Sequence, residues 1–180
     1  MSNNMTENIW LIGASQMAVD YHEVLKDLNI PFIVIGRGDI SAKKFLENTS
    51  TVPITGGLDK FLSKSPYKCS HAIVAVGVEN LAENTKKLLR YGIQNILVEK
   101  PAGLNKEEIK EVKKIAKEKK ANVYVAYNRR FYASVIKAKE IIKKDGGVTS
   151  FNFEFTEWSH TIEKLEKDFV GDGIGIAKNS

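Results

Sequence analysis

Short apolar runs alternate with amphipathic stretches through most of this chain. Asn8-Ile-Trp-Leu-Ile12, Pro31-Phe-Ile-Val-Ile35, His71-Ala-Ile-Val-Ala-Val76, Asn95-Ile-Leu-Val98 and Ala121-Asn-Val-Tyr-Val-Ala126 show the dense apolar character of strands covered on both faces, as parallel central strands are. Val52-Pro-Ile-Thr55 reads as one more strand, which Pro53 restricts to an edge or a strand start. Between these runs the pattern turns helical. In the helix Val19 to Leu28, Ala18, Tyr21, Leu25 and Leu28 recur on the side that would face a sheet. Ser41 to Glu47 and Asp59 to Leu62 predict two brief helices. Asn80-Leu-Ala-Glu83 has the form of a capping box opening a helix to Arg90, with Gly92 placed to end it in a left-handed cap. Asn105-Lys-Glu-Glu108 is a second capping box. It opens Lys106 to Lys119, which is acidic early and basic late, as the helix dipole favours. Six strands alternating with helices predict an α/β fold with a doubly wound parallel sheet, a Rossmann-type domain over residues 1–126.

The pattern changes after Ala126. Phe131 to Lys144 predicts a helix with Val135, Ile136, Lys139 and Ile142 on one side, stopped by Gly146-Gly147. Val148 to Trp158 alternates, with Phe151, Phe153 and Phe155 on one face, as in a half-buried antiparallel strand. One such strand needs partners that the chain does not supply. Residues 127–180 are therefore expected to begin an α+β second domain that is cut short.

Composition narrows the class. Of 180 residues, 43% are hydrophobic and 27% charged, the balance of a soluble globular protein. No apolar run approaches the ~20 residues of a membrane helix. The N-terminal Met1-Ser-Asn-Asn-Met-Thr-Glu7 lacks the basic and apolar regions of a secretory signal. A single cysteine, Cys69, rules out an internal disulfide framework and fits a reducing cytoplasm; it reads as a buried, inert thiol. The net charge of +5 comes largely from lysines on the solvent faces of two helices, without the aromatic or motif support of a nucleic-acid surface. His22, His71 and His160 lack metal-ligand spacing, so no metal is expected.

The candidate chemistry lies where strands end. Gly13-Ala14-Ser15-Gln16-Met17-Ala18 joins the first strand to its helix, the strand–turn–helix arrangement that holds a dinucleotide pyrophosphate. Gly13 and Ala18 suit the first and third positions of that fingerprint. Ser15 departs from glycine at the second, where its side chain would crowd the pyrophosphate or hydrogen-bond to it. The second strand ends in Gly36-Arg37-Gly38-Asp39. Gly36 occupies the position of the acid that holds an NAD ribose, and Arg37 offers a planar fork of donors that binds a 2′-phosphate or stacks on adenine. NADP(H) is thus favoured over NAD(H), which stays possible, with Asp39 available to a ribose and Ser41 and Lys43 as helpers. Val76 and Gly77 end the next strand, and the loop Val78 to Leu81 is expected to cross the cofactor, with Asn80 or backbone making the contacts. Ile96 to Val98 runs into Glu99-Lys100-Pro101. Pro101 has no N–H and a fixed φ, so the strand must stop there, with a carboxylate and an ammonium at its carboxyl end.

Glu99-Lys100-Pro101 after an apolar strand, the preceding Leu88-Leu89-Arg90-Tyr91-Gly92 and the later Tyr127-Asn128-Arg129-Arg130-Phe131 together resemble the Gfo/Idh/MocA family of nicotinamide-dependent sugar and polyol oxidoreductases. The resemblance runs from about Asn8 to Gly175. It implies hydride transfer between the cofactor and a hydroxyl or carbonyl of a sugar, nucleotide-sugar or polyol. It makes Lys100 the catalytic acid–base, has Glu99 orient Lys100 or hold the local backbone, puts both Glu99 and Lys100 against the cofactor, and places Arg129 near nicotinamide or substrate. It also implies a homo-oligomer formed through the second-domain sheet. The family's Thr-Pro and His after the fourth strand are missing here; Leu81 stands near that His position. If Gly173 matches the family's glycine-rich turn, Ala177 replaces a substrate-site Asp and the following His lies past Ser180. The family's members are longer, so the chain reads as a fragment that binds cofactor without turnover. The alternative is a dinucleotide-binding sensor with no catalytic role.

Overall fold

The computed structural model of the protein describes residues 8–152 and 154. Internal packing divides the chain after Ala126. In the first unit, β1 (Ile9–Ile12), β2 (Phe32–Ile35), β3 (His71–Val74), β4 (Asn95–Val98) and β5 (Asn122–Val125) form one parallel sheet in the order β2-β1-β3-β4-β5. Helices α1 (Gln16–Asp27), α2 (Asp39–Thr49), α3 (Gly57–Leu62), α4 (Val78–Tyr91) and α5 (Lys106–Lys119) connect them. This is the doubly wound fold that the alternating pattern predicts.

Successive residues along the central strands feed opposite faces, and two cores result. Leu11, Val34 and Ile73 pack with Ala18 and Leu25 of α1 and Phe45 of α2. Trp10, Ile12, Val74 and Val98 pack with Phe61 of α3, Leu81 and Leu88 of α4 and Val112 of α5. Trp10 meets the Phe61 ring edge-on at 4.8 Å, a favoured aromatic geometry. Cys69 is buried in this second core, and burial pushes its thiol up to about 12. Between the middle turns of α4 and α5, Lys86 bridges Glu83 (3.0 Å) and Glu111 (2.9 Å).

Several local expectations need correction. Five strands form the sheet, not six. Val52–Thr55 shrinks to one bridge, in which Ile54 N–H donates to Val34 O (2.8 Å) and Gly36 N–H donates to Ile54 O (2.8 Å). Pro53 has no N–H to extend that ladder, although the segment does lie at the sheet edge beside β2. Helix α1 starts at Gln16, not Val19, because extended Ser15 is already its N-cap, and Leu28 ends up at the C-cap and exposed. Helix α4 starts at Val78 with Gly77 as its cap, so residues 78–81 form a helical turn and no loop. Asn80 therefore caps nothing; its amide donates to Glu79 Oε1. Asn105, by contrast, caps α5 as the sequence implies. Its Oδ1 accepts from Glu108 N–H (2.9 Å), while the Glu108 carboxylate accepts from Leu104 N–H (2.8 Å).

In the second unit a 3-10 turn (Asn128–Phe131) precedes α6 (Ala133–Lys144), so the α-helix begins two residues later than expected. Gly146 and Gly147 both take positive φ after it. Residues 148–152 form no strand, and Phe151 is exposed. Phe153, Phe155 and the rest of the expected strand to Trp158 lie outside the described residues, as do Gly173, Ala177 and His160.

The two asparagines make opposite predictions. Asn105→Ala should lower stability by ~1 kcal/mol through loss of the cap. Asn80→Ala should change it by less than ~0.5 kcal/mol, as a half-buried position that caps no helix does. Urea unfolding of both variants checks this, and a larger loss from Asn80 would contradict the assignment.

Candidate functional site

The strand order reverses at β1, with β2 on one side and β3 on the other. In an open parallel sheet the carboxyl ends of the two strands at such a reversal bracket a ligand crevice. Gly13 sits there with φ +126, its N–H donating to Ile35 O (2.9 Å). A Cβ at Gly13 would overlap the Ala75 carbonyl oxygen and lie 2.8 Å from its carbon. Only glycine permits this approach, on both conformational and steric grounds. Gly13 and Ala14 are buried, whereas Ser15, Gln16 and Met17 are exposed. The first turn of α1 carries no acidic residue and Ser15 makes no side-chain cap. Its free N–H groups and positive dipole end thus face outward, and an anion suits them. Ser15 Oγ lies within donating reach of Ala75 O (3.3 Å), turned toward the end of β3. The chain thus fits a dinucleotide pyrophosphate despite the serine.

At the end of β2, Gly36 is buried and Arg37 exposed. Gly56 N–H donates to Arg37 O (3.1 Å) and Gly57 N–H to Gly36 O (2.9 Å), so a two-glycine turn backs the arginine. Arg37 enters no ion pair among the described residues. Asp39 lies in the first turn of α2, and Ser41 Oγ donates to Gly38 O (3.0 Å). Lys43 is exposed on the same helix.

At the end of β4, Glu99 N–H donates to Val74 O (2.9 Å). A four-residue turn then closes through Ala102 N–H to Glu99 O (2.9 Å), with Lys100–Pro101 in cis. The Glu99 carboxylate is held at both oxygens. Oε1 accepts from the Tyr21 hydroxyl at 2.6 Å, and Oε2 from the Lys100 backbone N–H at 3.3 Å. Glu99 thus contacts the main chain of Lys100, and the exposed Lys100 ammonium enters no ion pair among the described residues. Burial first, then the hydrogen bond and charge of Glu99, hold the Tyr21 phenol well above the usual tyrosine range. Tyr21 therefore stays a neutral donor at any ordinary pH.

Tyr21 is the participant that sequence reasoning missed. Its spacing, three residues after Ala18, places it on the sheet-facing side of α1. A hydroxyl on an otherwise apolar helix face was the available signal, but its partner lies 78 residues away.

The other predicted residues divide. Val76 and Gly77 lie beside the Gly13 turn, with Val76 Cγ1 3.4 Å from where a Gly13 Cβ would stand. Asn80 is on the first turn of α4 with its amide on Glu79. Arg129 is exposed in the 3-10 turn of the second unit. His22 is fully buried between Glu23 and Thr51, each at 2.8 Å, which accounts for both ring nitrogens. A mostly apolar groove of about 440 Å³ between α5 and β5, lined by Ile109, Val112, Ala116 and Tyr124 among others, contains none of the predicted site residues.

This glycine-pinned crevice, with a Glu-Lys-Pro turn two strands away, has a counterpart among known proteins. Residues 8–127 match the Gfo/Idh/MocA family, described as an oxidoreductase family with an NAD-binding Rossmann fold. The chain belongs to the Gfo/Idh/MocA family. No curated protein matches it in sequence. Its fold is similar to that of the WlbA dehydrogenase from Chromobacterium violaceum, solved with NADH and UDP-GlcNAcA (TM-score 0.66, 15% identity, 79% of this chain and 41% of that one). It is also similar to GenD2 from gentamicin A biosynthesis, solved with NAD (TM-score 0.65, 18% identity, 83% and 43%). A third likeness is to the UDP-N-acetylglucosamine 3-dehydrogenase GnnA from Acidithiobacillus ferrooxidans (TM-score 0.61, 13% identity, 74% and 41%). At these identities the likeness is one of fold. The chain spans about two fifths of the length of these structures.

For this Gfo/Idh/MocA domain, Gly13→Ala should cost more than ~2 kcal/mol, combining a strained φ with a backbone overlap. Chemical unfolding reads the loss. A variant as stable as the parent would show that the Gly13–Ala75 approach is not fixed.

Proposed function

We propose that the chain forms the cofactor-binding part of an oxidoreductase that favours NADP(H). Its substrate is a sugar, nucleotide-sugar or polyol, and hydride moves between the nicotinamide and a carbon bearing hydroxyl or carbonyl oxygen. The observation that carries this is the placement of the Gly13 turn and the Glu99-Lys100-Pro101 turn at the same end of one parallel sheet, on β1 and β4. One supports a pyrophosphate; the other supports proton transfer beside it.

The first turn of α1 would hold the pyrophosphate through backbone N–H groups, with Val76 and Gly77 walling the far side. Arg37, backed by Gly56 and Gly57, would pair with a 2′-phosphate, and no carboxylate at position 36 opposes it. The bound cofactor supplies or accepts the hydride. When substrate is oxidised its hydroxyl loses a proton, and when reduced its carbonyl oxygen gains one; Lys100 is the group assigned to that proton. Its ammonium is not tied down by Glu99, which supports that role. Arg129 is proposed as a further contact to nicotinamide or substrate. Residues 127–180 would begin the substrate-facing domain, and selection among substrates would rest there. Assembly into a homo-oligomer through that domain belongs to the same proposal.

Titration with NADPH and NADH, followed by reduced-nicotinamide fluorescence, tests the cofactor assignment. NADPH should bind more tightly. Arg37→Ala should weaken it by at least ~10-fold, the value of a charge-assisted contact, and change NADH by less than ~3-fold. Equal losses for both cofactors would remove Arg37 from the 2′-phosphate. Absence of any binding by a cooperatively melting chain would overturn the dinucleotide site itself.

A further inference from the structure

Tyr21 and Glu99 join two parts of the proposed site that the sheet alone connects only loosely. Tyr21 lies on α1, the helix whose first turn is the proposed pyrophosphate cradle. Glu99 begins the turn that carries Lys100. Their side chains meet at 2.6 Å across 78 residues of sequence, in a partly buried setting. The second Glu99 oxygen reaches the Lys100 backbone N–H. A continuous chain of contacts thus runs from α1, through a phenol and a carboxylate, to the main chain of Lys100.

We propose that Tyr21 is a positioning residue whose hydroxyl clamps Glu99, and through it sets the place of Lys100 relative to the cofactor-binding end of α1. Resting on the function proposed above, this assigns that site a strut. Three observations support it. Tyr21 stands one helical turn beyond Ala18, and Ala18 is fully buried, so the helix cannot rotate without disturbing its packing. Glu99 has no cationic partner among the described residues, so the phenol is its side-chain contact. Tyr21 keeps its proton over the working pH range, so the donor is always present. The exposed ammonium stays clear of the clamp. Glu99 fixes where Lys100 stands and leaves its charge for a ligand.

The test compares the full chain with Tyr21→Phe, Glu99→Gln and the double variant, after each has shown a cooperative melt. Each is transferred to deuterated buffer without cofactor, and exchange of the Lys100 backbone amide, which donates to Glu99, is followed by NMR against the Glu108 amide as internal standard. Loss of the clamp should speed exchange of the Lys100 amide about fivefold relative to the standard, the population shift that one net hydrogen bond supports. Tyr21→Phe and Glu99→Gln should act in the same direction, and the double variant should add less than ~2-fold to either, because both break one contact. A Lys100 rate unchanged in Tyr21→Phe, or additive effects in the double variant, would overturn the strut. Should Tyr21→Phe fail to fold, Glu99→Gln reads the same contact from the other end, and an unchanged Lys100 rate there overturns the proposal equally. NADPH titration of the same proteins stays independent. Loss of cofactor binding in the parent chain with the Lys100 effect intact would count against the proposed function and not against the strut.

Discussion

At the centre of this domain two stretches of backbone come closer than any side chain would allow. Gly13 rests against the Ala75 carbonyl, where the strand order reverses, and a single methyl group there would overlap it. Several features depend on that approach. It brings the end of β1 beside the end of β3, lets α1 depart with its first turn facing outward, and puts the Ser15 hydroxyl beside Ala75 O. The two cores on either face of the sheet supply burial energy, but burial is non-directional. The glycine contact gives the crevice its shape.

The electrostatics of the site follow from what is absent as much as from what is present. The first turn of α1 carries no acid, and the end of β2 has a buried glycine with an exposed arginine beyond it. Both leave positive potential uncompensated at the end of the sheet where an anionic dinucleotide would lie. The Glu99 carboxylate, at the end of β4, is taken up by a phenol and a backbone N–H. A neutral donor satisfies it without drawing in the Lys100 ammonium. Two neighbouring residues of opposite charge therefore do different work, one structural and one open to a ligand.

Where local pattern and structure part, backbone hydrogen bonding decides. Val52–Thr55 has the composition of a strand, yet Pro53 leaves only Ile54 able to bridge to β2. Asn80-Leu-Ala-Glu83 has the spacing of a capping box as clearly as Asn105-Lys-Glu-Glu108 does. Only in the second does the asparagine cap a helix, because Gly77 already begins α4 one turn earlier. A capping motif states that a residue is able to cap; where the chain leaves the preceding strand determines whether it does.

Much of the fold was legible in the chain itself. Five apolar runs, the glycine turn after the first and the Glu-Lys-Pro turn after the fifth expected strand marked the parallel sheet and the family, because period and turn chemistry are local properties of sequence. The position of Arg37 in place of an acid was equally local. The contact of Tyr21 with Glu99 was not legible. On its helix Tyr21 has the spacing of a core side chain, and its meaning comes from a carboxylate 78 residues away. The same holds for Gly56 and Gly57 behind Arg37 and for Ala75 against Gly13. Sequence alone determined which residues are able to form strands, turns and caps, since that ability follows from each residue's own conformational and hydrogen-bonding limits. Only the tertiary structure decided which polar groups meet, since that depends on how distant elements are brought together by the sheet.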